Sequence, residues 1–197
     1  MPRLPTLDDV IIADKTVLVR ADLNVPLHKG HITDKTRIER FIPTLNYLAH
    51  RNARIVLISH CGRPQGKVDP QLSLRPIHVA LAELWGRPLQ WADDCIGPSA
   101  IQAVAELQPG EVVLLENLRF HPGEEANDPH FARSLASLAD IYVNDAFSCS
   151  HRAHASIVGI ADYLPSFAGL SLRLELEALT QALETPQRPV MAIVGGS

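Results

Sequence analysis

The chain has 197 residues, of which 46% are hydrophobic, 20% charged and 5% aromatic, and its formal net charge is −4. This composition excludes disorder, and a chain this long buries roughly 70% of its unfolded surface without disulfide or metal staples. No segment approaches the ~20 consecutive apolar residues of a membrane span, and the charge offers nothing to nucleic acid or an anionic membrane.

Short apolar, β-branched runs recur along the chain: TVLVRA (16–21), RIVLIS (54–59), EVVLLE (111–116), DIYVND (140–145) and PVMAIV (189–194). Each is nearly continuous in apolar residues, the pattern of strands buried on both faces of a parallel sheet. Helical stretches separate them. Residues 35–50 place Ile38, Phe41, Ile42, Leu45 and Leu48 on one stripe behind Asp34 as N-cap, with Pro43 expected to kink or break the helix. Residues 75–85, 98–107 and 129–139 read the same way, the last opened by Asp128 and Pro129. The run 171–183 reads as a packed amphipathic helix with a solvated acidic face. The alternation predicts an α/β fold, three-layer α/β/α around a mostly parallel, Rossmann-like sheet. TPQRP (185–189) reads as a linker, and VMAIVGGS after it as the opening of a second βα unit, so residues 1–184 form one expected domain and 185–197 the start of another.

The opening MPRLPTLDDV has no apolar core or cleavage site and does not read as a secretory signal. Cys61, Cys95 and Cys149 make an odd count without a C-x-x-C pair, which argues against a disulfide framework and for a reducing cytosol. The cations comprise 14 Arg and 4 Lys. Arginine presents a planar fork of donors suited to carboxylate and phosphate.

Ligands of an open parallel sheet bind at the carboxyl ends of its strands. After the first strand stand Asp22 and Asn24; after the second, His60 and Arg63, with Gly62 allowing close backbone approach. The third is followed by Asn117, Arg119 and His121, and the fourth by Asn144, Asp145, His151, Arg152 and His154. Each loop taken alone fits a surface turn. Together, Arg63, Arg119 and Arg152, helped by His60 and joined by Arg37, form an expected positive pocket on an acidic protein, which calls for an anionic ligand such as a phosphate. There is no G-x-G-x-x-G after the first strand and no G-x-x-x-x-G-K-[ST], which counts against dinucleotide and P-loop sites. His151 and His154 lack partners at metal-ligand spacing, so no metal site is expected.

ADLNVP, Arg37, SHCGRP, LENLRFHPGEE and NDAF…SHRAHAS, in this order, resemble the amino-terminal domain of the phosphoglycerate kinase family, and PVMAIVGGS resembles the first strand of that family's nucleotide-binding domain. The resemblance implies reversible phosphoryl transfer between 1,3-bisphosphoglycerate and ADP in glycolysis. It also implies that Asp22 and Asn24 bind the hydroxyl and carboxyl region of 3-phosphoglycerate, and that His60, Arg63, Arg119 and Arg152 hold its 3-phosphate. Arg37 would reach the reacting carboxylate and the moving phosphoryl group. Mg-ATP or Mg-ADP belongs to the other, missing domain of the complete enzyme, so this chain is expected to bind no cofactor, to be a cytoplasmic monomer and to show no turnover alone. Cys61 stands where the family usually has an apolar residue such as Leu, and Cys149 near a common Gly-Thr or Ala-Thr pair, which suggests sensitivity to thiol reagents. Two other readings stay open at this point: a haloacid-dehalogenase-like phosphatase with Asp22 as nucleophile, and a non-catalytic phosphate-binding module.

Overall fold

The computed structural model of the chain describes residues 4–28, 30–184 and 191. In chain order the elements are β1 (Thr16–Ala21), the small antiparallel pair β2 (Leu27–His28) and β3 (His31–Ile32), α1 (Thr36–Ala49), β4 (Arg54–Ile58), α2 (Arg75–Trp85) and β5 (Gln90–Ala92). There follow α3 (Gly97–Ala105), β6 (Val112–Leu115), α4 (Pro122–Glu125), α5 (Pro129–Ala136), β7 (Ile141–Asp145), β8 (Ser166–Ala168) and α6 (Leu170–Glu184). Six strands form one parallel sheet in the order β5-β6-β4-β1-β7-β8.

The period-two geometry of a strand sends alternate side chains to opposite faces, and both faces are apolar here. Val17, Val19, Ile55, Leu57, Val112, Leu114, Ile141 and Val143 pack against Ile38, Phe41, Leu45 and Leu48 of α1 and Ile77 and Leu81 of α2. Leu18, Val56, Ile58, Val113, Leu115 and Tyr142 pack on the other face against Ala100 of α3 and Phe131, Ala132 and Leu135 of α5. This is the three-layer α/β/α arrangement expected from the alternation of runs.

Several local expectations need correction. Helix α1 runs unbroken through Pro43. Pro43 is exposed, as is Glu39, whose carbonyl loses its helical donor, so water can donate to that carbonyl instead. Lys35, not Asp34, is the residue before α1, although Asp34 still serves the helix: its Oδ1 accepts the Thr36 N–H at 2.8 Å, and the Thr36 side chain, with that N–H, holds its carboxyl below the usual range. Asp128 caps α5 as the sequence suggests, accepting the Phe131 N–H at 2.8 Å. Helix α6 is not packed along its length: Leu172 is its one buried residue, while Leu174, Leu179 and Leu183 are exposed. Only its first turn meets the sheet. The strand expected at 189–194 lies outside the described residues, apart from Met191.

Candidate functional site

The chain leaves β1 to one side for β4 and returns to its other side with β7, so the sheet order reverses at β1. A crevice opens at the carboxyl ends of strands at such a point. Asp22 follows β1, His60 follows β4, and Ser148 and Arg152 follow β7, all around this reversal, with Arg119 arriving from the end of β6.

The deepest cation of the site is one that strand reading passes over. Arg20 shares the face of β1 that carries Leu18 and is 1% exposed. Its Nε donates to Ser156 Oγ at 3.0 Å, Nη1 to the Ala21 carbonyl at 2.8 Å, and Nη2 lies 2.9 Å from Nδ1 of His60. Ser156 in turn donates its hydroxyl to Glu124 Oε1 at 2.6 Å and its backbone N–H to Glu124 Oε2 at 3.0 Å. Glu124 is fully buried, and Nδ1 of His154 lies 3.8 Å from its Oε1. Burial, then the charges of Arg20, Arg119, Arg152 and His154, hold His60 down to about pKa 2. His60 is therefore neutral, and it adds a ring donor or acceptor to the pocket rather than the positive charge expected of it. An arginine inside an otherwise apolar strand was the available signal for this layer; Glu124 and Ser156 had none.

Gly62 joins the next two residues. Its N–H donates to Asn24 Oδ1 at 3.1 Å, and its carbonyl accepts from Arg119 Nη1 at 2.7 Å. Gly62 has φ +60, and a Cβ there would sit 2.6 Å from Leu72 Cδ2, so any side chain strains the backbone and pushes Leu72 aside. Asn117 clamps the same loops, donating to the Cys61 and Leu72 carbonyls while its Oδ1 takes the Arg119 N–H. The Arg119 side chain is 3% exposed, yet its Nε and Nη2 have no hydrogen-bond partner; Glu125 Oε1 is 3.3 Å from Nε without hydrogen-bonding geometry. Burial lowers the pKa of Arg119, Glu125 opposes that, and Arg152 and Arg20 add to it. Arg152 is half-buried and acts electrostatically on His60, Arg119 and His154, so these four residues are brought together. Arg63, beside Gly62, is exposed and makes no side-chain bond among the described residues.

Asp22 and Arg37 form the outer wall. Arg37 Nη1 lies 2.6 and 2.7 Å from the two Asp22 oxygens, and Ser148 donates to Asp22 Oδ2 at 2.7 Å. They line a cavity of about 240 Å³ with Arg40, Phe147 and Ser171, floored by Asp145. With both oxygens engaged, Asp22 is not poised as the nucleophile of a dehalogenase-like phosphatase. Asp145 Oδ1 accepts the Leu172 N–H at 3.0 Å at the start of α6.

Other strand-end residues go elsewhere. His121 bonds Asp94 at 2.7 Å, and with buried Cys95 these form the one group among the described residues close enough to hold a metal. Asp94 Oδ1 already accepts both the His121 ring and the Cys95 N–H, so the group is a closed hydrogen-bonded set. All three cysteines are buried, and burial with the Glu116 charge pushes the Cys61 thiol up to about 11, which works against the expected sensitivity of Cys61 to thiol reagents. The site thus offers fixed donors and positive charge, an arrangement suited to binding and orienting an anion.

A family model described as phosphoglycerate kinase matches residues 7–197. Phosphoglycerate kinases from Rhodospirillum centenum and Moorella thermoacetica are 57% and 56% identical over 192 residues, covering 98% of this chain and 48% and 49% of the relative. The chain therefore spans about half the length of the curated relatives it matches. Among solved structures, phosphoglycerate kinase from Coxiella burnetii superposes with TM-score 0.85 at 37% identity, over 95% of this chain and 47% of that one. The enzyme from Pyrococcus horikoshii gives 0.87 at 32% identity, over 94% and 47%. Likeness in sequence along nearly the whole chain is matched by likeness in fold, and the chain belongs to the phosphoglycerate kinase family.

Proposed function

We propose that the chain is the part of a phosphoglycerate kinase that holds 3-phosphoglycerate or 1,3-bisphosphoglycerate, in an enzyme that reversibly moves a phosphoryl group between 1,3-bisphosphoglycerate and ADP. One observation carries the reading: the buried guanidinium of Arg119 has two nitrogens without a hydrogen bond, only Nε having a countercharge in Glu125, and it shares its electrostatic surroundings with Arg152, Arg20 and neutral His60. A buried cation with unfilled donors is costly until an anion takes them.

In this reading Arg63, Arg119, Arg152 and His60 take the 3-phosphate. Asn24 offers its amide N–H to the hydroxyl and carboxyl region, since its Oδ1 is occupied by Gly62. Asp22 contacts the same region, and Arg37, using nitrogens other than the Nη1 that faces Asp22, reaches the reacting carboxylate. The 3-phosphate does not react, so binding it supplies energy for orientation. Phosphoryl transfer needs in-line placement and charge stabilisation more than covalent help.

The described residues do not fit a magnesium–nucleotide site. The carboxylates nearest the cations are held by the chain's own groups, Asp22 by Arg37 and Ser148, Glu124 by Ser156 and Glu125 by Arg119, while Asp145 is bound by the Leu172 N–H through Oδ1 and is buried at Oδ2. Nucleotide and Mg²⁺ are assigned to the portion of the relatives that this chain does not span. Residues 1–184, with helix 171–184 as connector, then form the substrate domain and 185–197 the beginning of the nucleotide domain. The chain acts in the cytoplasm as a monomer and has no turnover alone.

The test is an amide NMR titration at low salt with 3-phosphoglycerate, inorganic phosphate and unphosphorylated glycerate. Saturable shifts at 22–24, 37, 60–63, 119 and 152 with 3-phosphoglycerate are expected, weaker ones at 60–63, 119 and 152 with phosphate, and none with glycerate. A dispersed spectrum that 3-phosphoglycerate leaves unchanged overturns the substrate. A steady-state rate on ATP and 3-phosphoglycerate comparable to a complete enzyme overturns the assignment of the nucleotide site elsewhere.

A further inference from the structure

Arg20, Ser156 and Glu124 form a buried chain of hydrogen bonds that ends on His60. Ser156 has one hydroxyl proton, and it goes to Glu124 Oε1 at 2.6 Å. Its lone pairs are thereby turned to Arg20, whose Nε donates at 3.0 Å. The guanidinium is planar and rigid, so a fixed Nε and an Nη1 bound to the Ala21 carbonyl also fix Nη2. Nη2 lies 2.9 Å from His60 Nδ1. Arginine donates and never accepts, so Nδ1 must be the acceptor and the ring proton must sit on Nε2. Among the described residues Nε2 has no protein partner.

We infer that Ser156, oriented by Glu124, is a positioning residue of the site: through Arg20 it locks His60 in the Nε2–H tautomer, so that the ring presents a neutral donor to a bound phosphate group. The inference deepens the substrate reading above and rests on it for the identity of the ligand.

The arrangement explains why a histidine serves among arginines. The groups facing the ring are Arg20 from β1, Arg119 from the β6 loop, and Arg152 and His154 from the β7 loop, and each disfavours a second ring proton. A freely rotating neutral imidazole could present a lone pair to the phosphate as easily as a proton, and a lone pair against a phosphate oxygen repels it. Arg20 removes that choice. Glu124 and Ser156 hold Arg20 in place, so that Nη2 faces His60 Nδ1 at 2.9 Å while also donating to Cys149 Sγ at 3.9 Å.

Ring ¹⁵N shifts of His60 read the tautomer directly, without ligand. In the unaltered chain, Nδ1 should be pyridine-like and Nε2 pyrrole-like at every pH from 8 to 5. An imidazolium or an Nδ1–H form there overturns the inference, and this measurement needs no variant. In Ser156→Ala, Arg20 Nε loses its acceptor, and the ring should show mixed tautomers or titrate in that range; Ser156→Thr, which keeps the hydroxyl, should restore the single tautomer. Arg20→Lys keeps the charge but cannot bridge Ser156 and His60, and should behave like Ser156→Ala. Affinity for 3-phosphoglycerate should fall about tenfold or more in Ser156→Ala, the value of one hydrogen bond to a charged group. If both variants keep the pure Nε2–H tautomer to pH 5, Ser156 is not a positioning residue. If the unaltered chain fails to bind 3-phosphoglycerate, the ligand is wrong, and the ring shifts still uphold or refute the lock on their own.

Discussion

Asn24 and Arg119 hold the same residue from opposite sides, Asn24 accepting the N–H of Gly62 at 3.1 Å and Arg119 donating to its carbonyl at 2.7 Å. The polar residues after β1 and β6 thus set the path of the loop after β4, and a glycine at φ +60 is what lets the loop take it. Asn24→Ala should cost about 1 kcal/mol of stability through one lost hydrogen bond. Gly62→Ala should cost more, roughly 1–3 kcal/mol, because the new methyl meets Leu72 in a left-handed backbone. Urea denaturation of both variants checks the order; an Asn24→Ala loss larger than that of Gly62→Ala would show that the amide matters more than the backbone shape.

Under the proposed function, Arg119 serves a ligand at the expense of the unliganded fold. Its Nε and Nη2 make no hydrogen bond, and its buried charge is a cost that Glu125, 3.3 Å from Nε, only partly offsets. Arg119→Met keeps much of the volume and loses the bond to the Gly62 carbonyl and the ion pair with half-exposed Glu125. Thermal denaturation without ligand should change by no more than about 1 kcal/mol in either direction, while 3-phosphoglycerate affinity falls at least about a hundredfold. A large loss of unliganded stability would mean that the guanidinium is structural.

His60 ties stability to pH in a definite direction. Its folded pKa, about 2, lies below the ordinary value near 6.5, so the folded state refuses a proton that the unfolded chain accepts. This contribution is complete above about pH 6.5 and is lost as pH falls toward 2, with a limiting slope of ~1.4 kcal/mol per pH unit. His154, lowered chiefly by burial, acts in the same sense. His60→Asn retains an acceptor for Arg20 without the titration. Denaturant unfolding between pH 7 and 5 should therefore be flatter by close to one proton in the variant, and equal slopes would contradict the neutral ring.

Asp145 acts in the opposite direction. Burial raises its carboxyl pKa, against the lowering influence of nearby Thr44, the Leu172 N–H and Ser171. A raised carboxyl pKa means that ionisation costs stability: the penalty is absent below the ordinary aspartate range and grows as pH rises through the folded value. Asp145→Asn keeps an oxygen for the Leu172 N–H and removes the charge. It should be more stable than the parent at pH 7–8 and equal to it near pH 3. Gly169→Ala, whose methyl would fall on the Asp145 carboxylate, should be destabilised at every pH. Chemical denaturation at the two pH extremes separates the effects.

Much of the fold was legible because fully buried parallel strands leave long apolar runs. The runs at 16–21, 54–59, 111–116 and 140–145 contain β1, β4, β6 and β7 with little trimming. The edge strands β5 and β8 have three residues each, too few for a period to register, and the β2–β3 pair has two and two. Strand ends located Asp22, Asn24, His60, Arg119 and Arg152 because the topology sends those ends to one place. The inner layer was hidden for a different reason. Arg20 reads as a strand residue, and Glu124 meets Ser156 across 32 positions of sequence, a pairing that only the packed loops create. Charge was likewise misjudged at His60, since a histidine beside arginines reads as cationic until its burial is known.

Among the described residues, helix α6 is fastened through its first turn. Its first turn is held by the Asp145 oxygen on Leu172, by Ser171 on the Arg40 carbonyl and by Arg173 on Asp8, whereas its residues from 177 to 184 are all exposed. At ~1.5 Å per residue its 15 residues make a cantilever about 22 Å long, clamped beneath the cavity lined by Asp22, Arg37 and Ser148. A force applied near Glu184 would therefore arrive at Gly169 and Asp145 as a torque, multiplied by the length of the arm, on the floor of that cavity.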